Sequence, residues 1–242
     1  MSEFINTIEL LGDEAVTDSI IEGTITEFRD NTLTSIGPYA FYGCADLTTV
    51  DLPNVVTLGE YVFSNCEELS DVSLPKLETT AAGTFSQCNN LVHLSLPSLK
   101  TTGISIFSGC KNLQSVELPE LVVIASHTFQ YTNSLVTINA PKCEKISGYG
   151  FSQPGSSIKT LDLPMCSELQ QWCFYGAALD VVILRRTDIV CTLGNSEDIN
   201  RYVTGYVYVP KALIDSYKTA TNWSSVTSKI RAIEDYPEIT GG

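Results

Sequence analysis

Asp71, His93 and Ser115 stand 22 residues apart in this sequence. An acid, an imidazole and a hydroxyl in one row are the parts of a nucleophilic triad, in which the base takes the hydroxyl proton and the acid orients the base. Such a triad also needs a pocket and donors for an oxyanion. A row on the flat face of a sheet has neither, so the row reads as an exposed polar ladder and no catalytic residue is assigned. The other histidine, His127, reads as a solvated turn residue. Eight cysteines are present, but no C-x-x-C occurs, which argues against a zinc knuckle. Glu67–Glu68 and Glu197–Asp198 are acidic pairs, and calcium needs six to eight converging oxygens with a loop to carry them. No such loop motif appears. Gly148-Tyr149-Gly150 begins like a nucleotide-binding fingerprint and lacks its third glycine and following helix. Neither a metal nor a cofactor is expected.

The formal charge of −14 sets the class of partner. A surface this acidic repels nucleic-acid phosphates and anionic lipid, so neither is an expected partner. No apolar run approaches the roughly 18 residues of a membrane helix, and no membrane insertion is expected. The opening Met-Ser-Glu-Phe-Ile-Asn lacks the basic and apolar regions of a secretory signal.

The spacing of 22 belongs to the whole chain. Phenylalanine recurs at Phe41, Phe63, Phe85, Phe107, Phe129 and Phe151, with Phe174 one residue late. Cysteine follows three residues on, at Cys44, Cys66, Cys88 and Cys110. Leu47, Val50, Leu52 and Pro53 begin four further columns that repeat at the same interval. Twenty-two residues are too few for a hairpin with a core, and they suit one turn of a coil. The V-x-L pair has the period of two of a strand with one buried face. One coil cannot bury its own inner face, so coils must stack, with strands aligned at about 4.8 Å into a parallel sheet. The expected fold is therefore a right-handed leucine-rich repeat solenoid with short arms. Phe41-type rings pack the wall opposite the sheet, and the prolines, lacking an N–H, stop the pairing on every rung. Gly37 and Gly59 are placed at tight turns. The Cys44 column reads as small apolar fillers with free thiols. Cys143 with Cys166 is the most plausible bridge, and Cys173 or Cys191 the exposed thiols.

Three regions are expected. Residues 1–32 form an N-terminal cap with a short amphipathic helix over 13–22 and a degenerate first coil. Residues 33–186 form the solenoid. Residues 187–242 form an irregular insertion, a last strand at Gly205–Pro210, a helix near Lys211–Ala220, a covering Trp223 and a loose tail from Glu234.

The unit F-x-x-C-x-x-L-x-x-V-x-L-P resembles the BspA-type leucine-rich repeat family of bacteria and their phages. Ala40 to Val55, AFYGCADLTTVDLPNV, is close to that family's consensus. Val207 to Trp223, VYVPKALIDSYKTATNW, resembles the terminal segment of such proteins. The resemblance implies the scaffold and no catalytic residue. Horseshoe-shaped repeats carry an inward asparagine column; here Val55, Leu77, Leu99 and Leu121 stand in that place.

These observations point to a non-enzymatic binding or assembly module. The expected setting is a phage virion or a bacterial surface, with a protein or a surface glycan as partner, and with assembly into a homo-oligomer or larger particle. The missing signal favours the virion, and an intracellular interaction scaffold is the alternative. Insertions in repeat proteins often lie on the binding face, so residues 187–206 with Tyr202, Tyr206 and Tyr208 are candidate contacts. Tyr39, Tyr42, Tyr61 and Tyr149 in the arms join them, because tyrosine brings area at low entropic cost.

Overall fold

The computed structural model describes residues 25–152 and 157–239. The helix expected over 13–22 and the last three residues of the tail lie outside the described residues.

Each coil has three sides. The front carries parallel ladders, one with Thr49–Asp51 and Asp71–Ser73 and the next with His93–Ser95, Ser115–Glu117 and Thr137–Asn139. Partners in the register stand 22 apart, as in Val50↔Val72 and Leu94↔Val116, so each sequence column becomes a ladder. The middle residue of each strand faces in and its neighbours face out. The strands end just before the proline column, and the last N–H donated across the sheet is the leucine preceding proline, as from Leu52 to Ser73 and from Leu96 to Glu117. The second side is a ladder of two-residue strands, from Ser35–Ile36 to Thr101–Thr102 and from Val123–Ile124 to Thr192–Leu193. The third side carries two tight turns and the phenylalanines. There the Phe41 N–H donates to Val62 O at 3.0 Å, and Phe63, Phe85 and Phe107 repeat the bond one coil on.

The three sides enclose one apolar column. Phe41, Phe63, Phe85, Phe107, Phe129 and Phe151 are fully buried and stack face to face, with centroids 5.0 to 6.0 Å apart. Phe28 extends this stack at the N-terminal end, 4.5 Å from Phe41. It occupies the strand position that Val50 holds in the next coil, so a larger side chain fills the space below the first repeat. The cysteine column is more than filler. Cys66, Cys88 and Cys110 each donate their S–H to the phenylalanine carbonyl of the preceding coil, at 3.0 Å. In the next coil Thr132 takes that column, and its hydroxyl donates to Phe129 O at 2.8 Å. All eight cysteines are free, and Cys173 and Cys191, expected to be exposed, are buried. Burial pushes the Cys110 thiol up to about 12.

The glycine expectation needs correction. Gly59 does not lie in the left-handed region; a Cβ there would sit 2.6 Å from the backbone nitrogen of Pro38. Glycine is present because two coils approach closely, and the tight turns lie elsewhere.

The far end also differs from expectation. Residues 187–204 break the repeat only in part: Thr192–Leu193 continues the arm ladder, pairing with Glu168–Leu169, and the helix Glu197–Tyr202 then stands where earlier coils have turns. The strand placed last spans Val203–Val209, and a further strand, Ile230–Ala232, pairs beyond it. Between them lie a 3-10 turn at Lys211–Leu213 and a helix at Ile214–Thr219. The tail expected to be loose folds back as Ile233–Asp235 and Pro237–Ile239, and packs Ile233 on Ile183 and Tyr208.

Side chains close the ladders where the next coil would have been. The Asp198 carboxylate, fully buried, accepts the N–H groups of Trp172 at 2.8 Å and Phe174 at 3.1 Å. In earlier coils backbone carbonyls accept those bonds. Burial pushes the Asp198 carboxyl above the ordinary range, against the pull of these donors. The Tyr217 hydroxyl accepts the Cys191 N–H, Trp223 Nε1 donates to Cys191 O at 2.7 Å, and Asn222 donates to Leu193 O and Gly194 O. Trp223 thus covers the open core and serves as a hydrogen-bond cap as well. Lys229 Nζ donates to the carbonyls of Ile199, Asn200 and Val203 at the end of the helix Glu197–Tyr202.

Two outcomes follow for the purified protein. Asp198→Ala orphans the buried Phe174 N–H and the part-buried Trp172 N–H, the buried one worth about 1–3 kcal/mol, and lowers the urea midpoint below that of the parent; an unchanged midpoint refutes the capping role. Alkylation of native protein at pH 8, read by mass spectrometry, leaves Cys66, Cys88 and Cys110 unmodified until the chain is unfolded, because their thiols are buried, hydrogen-bonded and raised in pKa.

Candidate functional site

Two columns of residues on the third side have positive φ. The first runs Tyr39 (59°), Tyr61 (52°), Gly83 (63°), Ser105 (61°), His127 (59°), Tyr149 (62°) and Trp172 (64°). The second runs Gly43, Asn65, Gln87, Gly109, Tyr131 and Gly176. Left-handed backbone costs an L-residue roughly 1–2 kcal/mol, and glycine is the default there. In the first column only Gly83 is glycine. Aromatic or imidazole rings occupy five of the other positions, although no core contact requires a ring at the corner.

The rings line up along the edge of the solenoid. Tyr39 and Tyr61 stack at 5.3 Å, and Tyr42 meets Tyr39 edge-on at 5.8 Å. Tyr39 and Tyr42 are 46% and 51% exposed, and Tyr61 is half-buried. The Tyr61 ring lies across Gly83, where an added Cβ would be 2.3 Å from it. Further along, His127 stacks flat on Tyr149 at 5.2 Å. Tyr175, 41% exposed, then joins Tyr149, Trp172 and Tyr202 through edge-on contacts of 5.7 to 6.2 Å. The ridge therefore has two aromatic stretches with Gly83 and Ser105 between them. His127, expected to be a solvated turn residue, belongs to it. Sequence reading singled out Tyr39, Tyr42, Tyr61, Tyr149 and Tyr202 and missed His127, Trp172 and Tyr175. The signal was available: most of these residues stand two before the phenylalanine column.

The remaining candidates are elsewhere. Tyr206 and Tyr208 lie on the outer face of the front sheet, in register with Val181 and Ile183. Tyr206 is exposed and carries the Arg231 guanidinium 4.0 Å above its ring. Tyr208 is a correction to the expected contact set: it is only 5% exposed and is covered by the folded-back tail, with Tyr236 edge-on at 5.2 Å. In the segment 187–206, Cys191, Asp198, Ile199 and Val203 are fully buried and hold the cap, while Ile189 and Tyr206 are exposed.

The acid–imidazole–hydroxyl row is brought together only in part. His93 Nδ1 and Ser115 Oγ are 2.6 Å apart on the exposed face. Asp71 makes no hydrogen bond to His93 among the described residues, and the sheet ladder is interrupted between Asp71–Ser73 and His93–Ser95. The pair has neither an orienting acid nor a pocket, and its geometry is that of a surface hydrogen bond. Among the described residues, no three His, Cys, Asp or Glu side chains converge as a metal site, and no helix is long and apolar enough to cross a membrane.

Comparison with known proteins agrees with this architecture. The chain matches the model of the BspA type leucine rich repeat region in six copies, over residues 19–135 and 100–190. Among solved structures it is similar to the leucine-rich repeat protein of T. pallidum, at 23% identity and a TM-score of 0.52, covering 67% of this chain and 74% of that one. It is also similar to a leucine-rich cell surface protein of Faecalibacterium prausnitzii A2-165, at 16% identity and a TM-score of 0.57, covering 79% of this chain and 65% of that one. No curated protein matches it. The repeat columns, the parallel ladders and the family match agree: this chain belongs to the BspA-type leucine-rich repeat family.

Proposed function

We propose that this chain is a non-enzymatic recognition module, carried on a phage particle or a bacterial surface, that holds a cell-surface partner protein against its aromatic corner ridge. The observation that carries this reading is the placement of exposed rings at left-handed corners. The fold fixes the left-handed backbone at this corner, and a ring where glycine would be unstrained points to a use outside the fold. Tyrosine and tryptophan dominate the energetics of protein contacts because they bring large rigid area with a polar tip. Two aromatic stretches on one rigid rod suit a partner that engages more than one rung, where linked weak contacts multiply. The family's repeat scaffold is typical of protein-binding modules, and the similar F. prausnitzii structure is that of a cell surface protein. The acidic charge of the chain favours a neutral or basic partner face.

The test is binding of labelled protein to intact candidate host cells before and after protease or periodate treatment. Binding is expected to saturate and to be lost after protease. Loss after periodate instead identifies a surface glycan as the ligand. No binding, even by a clustered form of the protein, removes the surface role.

Glycine substitution separates recognition from folding. Tyr149→Gly relieves a left-handed tyrosine, loses its ring contacts with His127 and Tyr175 and adds freedom to the unfolded chain, terms of about 1 kcal/mol each that oppose one another. Its unfolding midpoint is expected to stay close to that of the parent while cell binding falls tenfold or more. Parental binding by Tyr149→Gly and by Tyr39→Gly together refutes the ridge as the contact surface.

A further inference from the structure

Two of the buried cysteines differ from the rest. Cys66, Cys88 and Cys110 each aim the thiol at a backbone carbonyl 3.0 Å away in the preceding coil. Cys166 and Cys191 face one another, with Sγ atoms 3.8 Å apart, and their nearest carbonyls are farther off, at 3.7 and 3.6 Å. Both side chains are fully buried on successive coils; Cys166 stands in the column of Val55, Leu77, Leu99, Leu121 and Cys143, and Cys191 lies one residue off it, next to the register equivalent Val190. An aliphatic side chain would fill that place as well, so packing alone does not call for a pair of thiols. Cys191 also lines a cleft of about 380 Å³ between the last arm strand and Trp223.

We propose that Cys166 and Cys191 are a disulfide site that locks the last coil, and the terminal cap hydrogen-bonded to it, onto the repeats. A disulfide needs its sulfurs at about 2.05 Å, and sulfurs already in van der Waals contact reach that distance by rotation of the side chains. The oxidant is a small disulfide of the glutathione type. Cys191, which lines the cleft, gives up its proton to solvent, attacks one sulfur of this small disulfide and releases one glutathione thiolate. The Cys166 thiolate then attacks the mixed disulfide at Cys191 and releases the second. The protein loses two protons and two electrons, and the small disulfide becomes two thiols. The environment suits Cys166 to the closing attack. The hydrogen bond from Cys191 holds the Cys166 thiol below its ordinary pKa, whereas Cys191 and the other six cysteines are pushed up, with burial as a cause in each.

The bond reaches the cap through one residue. The Cys191 N–H is accepted by the Tyr217 hydroxyl, and its carbonyl accepts the Trp223 indole N–H. Closing the bond therefore ties the helix Ile214–Thr219 and Trp223 to the coil that carries Cys166. The inference stands on the geometry of the sulfurs and is independent of what the ridge binds.

The experiment equilibrates the full chain in oxidised and reduced glutathione, then counts thiols in denaturant and maps peptides without reduction. The expected result is a fall from eight thiols to six, one cross-linked peptide pair containing Cys166 and Cys191, and a thermal midpoint several degrees above that of the reduced protein. Dithiothreitol reverses all three. The Cys166→Ser, Cys191→Ser double variant keeps its six thiols in the same buffer and shows no redox-dependent midpoint. Eight thiols remaining after equilibration, or a bond mapped to Cys143 and Cys166, overturns the proposal; both readouts use the parent protein and hold even if the variant fails to fold.

Discussion

The strand N–H and C=O groups in a coil of this protein pair with the neighbouring coil, and that requirement governs the rest of the structure. A buried N–H or C=O without a partner costs as much as a lost hydrogen bond. With 22 residues per turn, neither the three-residue front strand nor the two-residue arm strand can pair within its own coil. The stack is thus the smallest unit that satisfies the chain, and identical columns follow because each residue meets its own equivalent above and below. The phenylalanine stack and the thiol-to-carbonyl links are consequences. A ring fits where a ring already lies beneath it, and a cysteine at its place reaches the carbonyl of the preceding phenylalanine.

The same requirement explains the C-terminal end. A growing stack always leaves one coil with donors and acceptors facing nothing. Here the carboxylate of Asp198, the hydroxyl of Tyr217, the indole of Trp223 and the amide of Asn222 replace the backbone of a coil that does not follow. This segment departs from the repeat consensus because its residues perform the repeat's hydrogen bonding with side chains.

The corner ridge obeys a different rule. Its backbone bonds are made whatever side chain is attached, and its side chains point away from the core. Residue identity there is free to vary among tyrosine, histidine, tryptophan, serine and glycine without disturbing the stack. Repeat scaffolds of this kind separate stability, held in the inward columns, from recognition, held at the corners and faces. The strain of a left-handed ring is local and is absorbed by a rod whose stability is summed over many interfaces.

The sequence by itself determined the period, the inward columns and the family, because a residue that must stack on its own equivalent leaves a mark at a constant interval. Phe41 to Phe151 and Pro53 to Pro164 were readable for that reason, and so were the outward residues His93 and Ser115 between buried neighbours. The tertiary structure alone decided which residues end the stack, since Asp198 and Asn222 match no column and their roles depend on where the chain returns. It also decided that Tyr208 is covered while Tyr175 is open, because the tail that covers one and the corner that exposes the other are set by packing between segments distant in sequence. Finally, it placed Cys166 against Cys191: their separation of 25 breaks the repeat interval, and only the path of the last coil brings the two sulfurs together.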